Sequence, residues 1–481
     1  MAPSRRLFLK SAARGALLAP ITFLRNDAAR GEEPALMVSA PDPKSGAVKR
    51  TSGEVLPAGD FLREEKRMIP VAGKSDVLVC GGGPAGIGAA LSAARNGAKT
   101  QILEFAGCLG GVWTAGLLTK ILDAGNKTGI MRELLTALAE QGSDVARETK
   151  GTVYDPELAK RVLEEMCVDA GIEIQLHTLV VGAIVDEGNR LVAVVTESKS
   201  GRQAWLAERF IDCTGDGDLA AHAGCRFDVG MSDECECQPM SLMALLTGLD
   251  PEAVAPYIRE NGADAKPRFL KLMREAGINP SYHAPTLRHL HDGIFSLMTN
   301  HEYGVSAFDA AAISKATINA RREVFDIVAG LKKRGGPWAN IAVVATAEQI
   351  GVREGRRIKG RYTLTAEDLA SGMRHPQAIA RAKFPFDVHA LELAGNPEEV
   401  EEYRKRGVKS YDIPYPALVS ADVDNLLMAG RCISGDFLAH SSYRVTGNSV
   451  PMGEAAGKAA ALSIQQQVMP HQLEWKTAQS G

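Results

Sequence analysis

The chain has 481 residues, 45% of them hydrophobic, with 48 glycines and a formal net charge of −3. That length accommodates two closely joined domains of ordinary α/β composition, and the near balance of charge gives no basis for nucleic acid or an anionic membrane as partner. Of eight scattered cysteines only Cys235 and Cys237 form a close pair, and no CxxCxxC run supports an iron–sulfur cluster.

Residues 1–30 read as an export signal. Ser4 to Lys10 spells SRRLFLK, which resembles a twin-arginine signal, and the apolar stretch from Ala16 to Leu24 is too short to span a bilayer. A basic disordered tail is the alternative. Export by this route carries a folded protein, as a chain that acquires its cofactor in the cytoplasm requires. A periplasmic or secreted protein with no membrane span after signal removal is therefore expected. Residues 31–70, with several Pro, Gly, Lys and Glu and no sustained periodicity, read as an extended N-terminal arm.

From Asp76 to Glu104 the sequence DVLVCGGGPAGIGAALSAARNGAKTQILE predicts strand, glycine turn, helix and strand. Val77, Leu78 and Val79 are apolar on both faces, as a covered central parallel strand should be. Gly81, Gly83 and Gly86 fall on the GxGxxG spacing: one for the tight turn, one for approach to a pyrophosphate, one for helix–strand packing. Pro84 and Ala85 open the helix, whose free N–H groups and dipole favour a phosphate bridge. Glu104 follows about twenty residues on, where an acid binds ribose hydroxyls and disfavours a 2′-phosphate. Strand before, helix after and acid at the right distance are three independent requirements, all met; a purely structural glycine turn is the alternative.

The loop GCLGGVWTAGL carries Cys108, Gly110 and Gly111, and its glycines allow close approach to a planar ligand. Cys108 reads as a packed thiol more readily than a redox centre, and Cys80 and Cys213 as buried, inert ones. Helices are predicted at Ile130–Gln141 and from Asp155, the latter with an N-cap, a first-turn proline and an acid. Ile172–His177 reads as a third parallel strand. Two strands around turns at Glu187–Asn189 and Ser200–Arg202 follow, then a return strand Arg209–Cys213 that ends in TGDGD with Gly215 and Asp216. This order predicts a Rossmann-like FAD-binding domain of the glutathione-reductase type with a three-stranded meander.

The expected division is 71–230 and 411–468 for the two parts of the FAD-binding domain, 231–410 for an inserted α+β substrate domain, and 469–481 for a tail. Within the insertion, Met240–Thr247 is strand-like, Asp250-Pro251-Glu252 opens a capped helix, and Asp309–Lys333 fits one long helix. His283, His289, His291 and His301 lack the spacing of a metal site, and no metal is expected. Arg353, Arg356, Arg357 and Arg361 with Glu348 and Glu354 form a charge run, either internally paired or suited to an anionic substrate.

Near the C-terminus, Asn425–Ala429 is an apolar strand, Arg431 lies in the turn, and Gly447–Gly457 leads into an alanine-rich helix reaching about Gln466. In flavoproteins such a helix N-terminus faces the isoalloxazine, so Gly447 and Asn448 join the candidate cofactor residues. The motifs GCLGG, IGVREGRRIKG with LTAEDL, YDIPY, NLLMAGRCIS and AHSSYRVTGNSVPMGEAAG are together similar to the FAD-dependent oxidoreductase family related to heterodisulfide reductase, over roughly residues 70–468. The resemblance implies FAD held by Gly81, Gly83, Gly86, Glu104, Gly110, Gly111, Gly215, Asp216 and Arg431. The iron–sulfur cysteine motifs of that relative are absent, so its bifurcating chemistry is not implied.

The resulting expectation is an enzyme that takes a hydride from a small alcohol, sugar or amine at flavin N5 and passes the electrons to a separate acceptor. His440 is the candidate base, and Arg444 and Arg431 are candidates for anchoring substrate or flavin oxygen. A nicotinamide-dependent flavin reductase would carry a second GxGxxG between strand and helix, which is not found. A flavin-free binding protein that keeps the fold is the other rival.

Overall fold

The computed structural model describes residues 67–142, 152–231, 237–391 and 398–475, with short strands at Leu36–Met37, Gly53–Val55 and Leu62–Glu64. The expected signal at 1–30 and Cys235 lie outside the described residues. Part of the expected arm forms a unit of its own. There Leu36–Met37 pairs in parallel with Arg67–Met68, and Gly53–Val55 pairs antiparallel with Leu62–Glu64.

The larger unit begins with β1 (Val71–Cys80), the glycine turn, α1 (Pro84–Arg95) and β2 (Thr100–Leu103). After α2 (Gly129–Glu140) and α3 (Pro156–Asp169) come β3 (Glu173–Gln175), β4 (Leu179–Val185), β5 (Leu191–Ser198) and β6 (Gly201–Asp212). These strands form one sheet in the order β4-β5-β6-β1-β2-β3. Val77, Leu78, Val79 and Cys80 are fully buried, as their two-faced apolar pattern requires of a central strand. Asp155 caps α3 by accepting the Glu157 N–H, so the proline-acid start is the helix start the sequence predicts.

The return strand differs from expectation. It is not a separate piece at 209–213, because β6 runs unbroken through twelve residues. One edge pairs antiparallel with β5 over Gly201–Leu206 and then in parallel with the late strand Leu426–Met428 over Phe210–Asp212. After Gly201 this stretch holds no Gly or Pro to interrupt it. The third meander strand and the central parallel strand are thus one element.

A second, antiparallel sheet is built from β7 (Ala244–Thr247), β8 (Thr286–His291), β9 (Ile294–Met298) and β10 (Ala342–Thr346), in the order β8-β9-β7-β10. With α4 (Ala265–Glu275) and α5 (Ala310–Arg334) it closes over Leu246, Phe269, Phe295, Leu297, Val324 and Trp338. Asp309 caps α5, accepting the Ala311 and Ala312 N–H groups. The helix expected from Asp250 stops after one turn. Pro256 lacks an N–H and disfavours helix at Ala255, leaving only a short 3₁₀ turn, Ala255–Tyr257. Of the stretch 231–410, Ile358, Leu364, Leu369 and Ala382 pack into the first core rather than the second.

The chain then returns to the first sheet through β11 (Leu426–Met428), α6 (Phe437–Tyr443) and α7 (Thr446–Gln465). α7 packs directly on α1. A Cβ at Gly453 would collide with the Ala85 carbonyl oxygen, one at Gly457 with that of Ala89, and one at Gly88 with that of Val450. Among the described residues no helix is long and apolar enough to cross a membrane.

This contact predicts the sign of a stability change. Helix propensity alone makes Gly→Ala favourable by about 1 kcal/mol, but Gly453→Ala forces two backbones apart. It is expected to lower stability by about 1–3 kcal/mol in urea unfolding, and a gain instead would show that the helices are not locked at this position.

Candidate active site

Three glycines of the β1–α1 turn have different surroundings. Gly81 has φ +100°, and a Cβ there would strike the Cys213 carbonyl, so only glycine is accommodated. A Cβ at Gly86 would strike the Gly81 carbonyl, which is the tight helix–strand approach expected of the third glycine. A Cβ at Gly83 would meet nothing within 4 Å. Open space at the N-cap of a buried helix is what a phosphate bridge would occupy.

Other loops converge on this turn. The Gly110 N–H donates to the Gly82 carbonyl at 2.8 Å, and a Cβ on Gly111 would come 3.1 Å from Gly83 Cα. Glu104 is buried, taking the Gly82 N–H on Oε2 at 2.6 Å and the Ala106 N–H on Oε1 at 2.8 Å. Burial pushes its carboxyl up, while those N–H groups pull it back. One backbone donor per oxygen leaves acceptor capacity for ribose hydroxyls. Cys108 is buried against Thr114, and burial raises its thiol pKa, in keeping with a packed cysteine. Cys80 and Cys213 are likewise buried with raised pKa values.

On the far side, Arg431 donates to Asp216 Oδ1 at 2.9 Å and to the Val352 carbonyl at 2.8 Å, and its guanidinium lies over Gly215. Gly215, Asp216 and Arg431 are therefore brought together. Gly447 is held by close packing, since its Cβ would strike the Leu122 carbonyl. Asn448, fully buried in the first turn of α7, has no hydrogen-bond partner among the described residues for either amide atom, and the Thr446 hydroxyl has none there. Buried polar atoms without partners are rare, and here they sit where the helix dipole points.

The candidate catalytic pair lies on one helical turn, as the Arg444 N–H donates to the His440 carbonyl at 3.1 Å. The His440 ring is fully buried, and among the described residues neither nitrogen has a hydrogen-bond partner. Burial, with Arg357, Arg444 and Arg431 nearby, holds its pKa well below that of a free histidine. It is therefore uncharged at neutral pH. Arg444 turns instead toward Asp387, donating to its carbonyl at 2.9 Å, and toward Gln238 Oε1 at 3.3 Å.

This leads to a polar cluster absent from the sequence-derived candidates. Asp387 Oδ2 lies 3.5 Å from Arg444 and 3.6 Å from His389 Nε2. His389 packs edge-on to His301 at 5.0 Å, and Tyr282 lies against His301 at 4.2 Å. Burial pushes His389 down to about 4, with Arg353 acting in the same direction and Asp387 against it. The signals were present but scattered: His301 among the histidines weighed for metal, Arg353 in the charge run, and a D-x-H at 387–389. Most of that charge run proves internally paired, with Arg357 on Glu354 at 2.7 Å and Arg356 on Asp218 at 2.9 Å. Among the described residues no group of three or more His, Cys, Asp or Glu is arranged to hold a metal ion.

The sequence model of the FAD dependent oxidoreductase family matches residues 76–480, and the chain belongs to that family. It is an FAD-dependent oxidoreductase, and FAD is its cofactor. No curated protein matches the sequence. Among solved structures, it is similar to a geranylgeranyl bacteriochlorophyll reductase-like protein from Thermoplasma acidophilum at 13% identity, covering 82% of this chain and 79% of that one with a TM-score of 0.44. A p-nitrophenol 4-monooxygenase from Pseudomonas putida is 12% identical, with 83% and 82% covered and a TM-score of 0.43. A flavoprotein/dehydrogenase from Cytophaga hutchinsonii is 12% identical, with 84% and 81% covered and a TM-score of 0.43.

The cradle separates folding from cofactor binding. Gly83→Val, at φ −70° with open space around it, is expected to fold and to melt like the flavin-free wild-type protein while losing bound flavin. Gly86→Val is expected to lose both. Full flavin absorbance in the purified Gly83→Val protein would overturn the assignment of this turn to the pyrophosphate.

Proposed function

We propose that the protein is an exported oxidoreductase that withdraws two electrons from a small alcohol, sugar or amine and hands them to a separate acceptor. Its nucleotide domain is read as the glutathione-reductase type, on the strength of the β4–β5–β6 meander, whose last strand itself runs on as the parallel return. The observation that carries the reading is the set of buried, unpartnered polar atoms on α6 and the start of α7: both ring nitrogens of His440, the amide of Asn448 and the Thr446 hydroxyl. A ligand with several hydrogen-bonding atoms accounts for all of them at once.

Gly83, Glu104, Gly110, Gly111, Asp216, Arg431 and Asn448 would hold FAD, which when bound supplies the two-electron acceptor. Asn448 and the α7 N-terminus would orient it and offset negative charge. His440 enters uncharged and so is able to take the proton of the substrate hydroxyl or amine. A second reading has one specific observation behind it. His389 is backed by Asp387 at 3.6 Å, so a proton taken there would be stabilised by a carboxylate, whereas His440 faces three guanidiniums.

Anaerobic stopped-flow mixing with a panel of alcohols, sugars and amines tests both. His440→Ala is expected to slow flavin bleaching by about a hundredfold to ten thousandfold with FAD still bound. A wild-type rate there, with the same loss in His389→Ala, transfers the role of base to His389. If His389 is the base, the rate should hold steady as pH falls toward about 4 and drop below it, because its ring stays neutral above that value.

Export rests on the SRRLFLK stretch alone. Replacing Arg5 and Arg6 with Lys is expected to retain the protein in the cytoplasm of the producing cell. Undiminished appearance in the periplasmic fraction would make the motif fortuitous.

A further inference from the structure

Arg353 and Arg444 are both deep in the cluster beside α6, and their charges oppose each other strongly enough that burial and Arg444 together push Arg353 down to about 10. One carboxylate, Asp387, serves both of them and His389. Although burial alone would raise it, those partners hold its pKa below the ordinary carboxylate range. The other nearby acid, Glu354, is committed to Arg357 at 2.7 Å, a pair whose side chains are 0% and 4% exposed. His301 and His389 are kept neutral by burial, so they neither add to nor cancel the charge. Two guanidiniums against one carboxylate leave, among the described residues, one positive charge in excess in a half-buried site, where the Arg444 side chain is 10% and that of Asp387 38% exposed. Lys266 adds to it, with its ammonium 5.8 Å above the Tyr282 ring.

The hydrogen bonding is lopsided in the same sense. His301, only 5% exposed, has no partner at Nε2, and its Nδ1 lies 3.3 Å from the Tyr303 hydroxyl. With Tyr303 donating to Nδ1, the neutral ring carries its proton on Nε2 and becomes an unmet donor. Arg444 Nε, another donor, is also unpaired. Gln238 Oε1 is not available to them, since it already accepts the His389 N–H at 3.0 Å and the Arg444 guanidinium. A buried cation and unmet donors are each costly unless an acceptor arrives from outside.

We infer that the cluster of Arg353, Arg444, His301 and Tyr282 is the seat of a substrate carboxylate, so that the substrate is an organic acid bearing the alcohol or amine to be oxidised. The inference rests on the oxidoreductase reading and narrows it. Arg353 holds its charge in place through Nη1 bonds to the Pro239 carbonyl and the Ser241 hydroxyl, Arg444 offers the unpaired Nε, and Tyr282 gives the acid's carbon skeleton an aromatic wall.

The test uses the purified holoprotein and matched probes: glycolate, lactate and gluconate against glycolamide, lactamide and gluconamide. Binding is read by isothermal titration and by perturbation of the flavin spectrum. At least one carboxylate is expected to bind about tenfold to a hundredfold more tightly than its amide. Arg353→Met should abolish that preference and Arg353→Lys should keep part of it. Equal affinities within every pair, or no binding by any probe, overturn the inference. So does an Arg353→Met protein that alters the flavin spectrum but keeps the carboxylate preference, which would assign the charge to the cofactor. If Arg353→Met fails to fold, the wild-type comparison of acid with amide decides alone. Should the wild-type protein contain no flavin, the redox reading falls, while isothermal titration still reports whether the acid is preferred.

Discussion

The rest of the site depends on the backbone contact between α1 and α7. Gly88, Gly453 and Gly457 lack the side chains that would hold these helices apart, so carbonyls of one lie against the glycines of the other. The helices are joined by more than three hundred residues of intervening chain, yet their N-termini are brought to the same end of the sheet. Gly430 confirms the convergence, because a Cβ there would lie 3.1 Å from the Ala85 methyl and 3.8 Å from the Ser449 hydroxyl. Two positive helix ends and a left-handed glycine turn thus share one mouth, a concentration of unpaired N–H groups suited to a dianionic cofactor.

A second constraint fixes the opposite wall. Arg357 donates to Glu354 and to the carbonyls of Gly435 and Gly230, tying three distant segments at one guanidinium. Such a pair is weak as a source of net stability, since desolvation offsets most of the attraction. Its effect is positional: Gly435 immediately precedes Asp436, the N-cap of α6, and α6 carries His440. Asp212 plays a comparable part at the end of β6. Its carboxylate accepts from Thr214 and from the Ala220 N–H, and so shapes the TGDGD turn; burial lifts its pKa to about 6 despite those bonds.

The parts of this architecture legible in the sequence are those governed by local rules. The GxGxxG turn, Glu104, the cap at Asp155, the long helix from Asp309 and the alanine-rich final helix follow from spacing, φ restrictions and capping, all of which act within a few residues. The continuous β6 was not legible, because where a strand changes partner depends on its neighbours and not on its own residues. The false helix at Asp250 shows the reverse case, a valid start signal cancelled by Pro256 six residues later. The Asp387–His389–His301–Tyr282–Arg353 cluster was illegible for a third reason. Its members come from four separate stretches, and each taken alone resembles an ordinary surface residue; only burial exposes the charge imbalance. His440 was found by position in a motif, but its lack of any hydrogen-bond partner is a property of the packed core.

The segment 352–357 links the two halves of the site through adjacent residues. The Val352 carbonyl receives Arg431, which in turn holds Asp216 beside the cofactor turn. The next side chain, Arg353, reaches away to the Pro239 carbonyl and the Ser241 hydroxyl, and its charge acts on the Asp387 cluster. Glu354 then takes the Gln238 N–H and pairs with Arg357. A shift of this backbone by even half a hydrogen-bond length would therefore be felt at Arg431 and at Gln238 together. Because the segment follows β10 by only a few residues, the second sheet is attached to the cofactor-binding turn by a short, heavily bonded tether. The consequence is that the Asp387 cluster and the Gly215–Asp216 turn are held in register by side-chain bonds to the main chain on either side of one short segment.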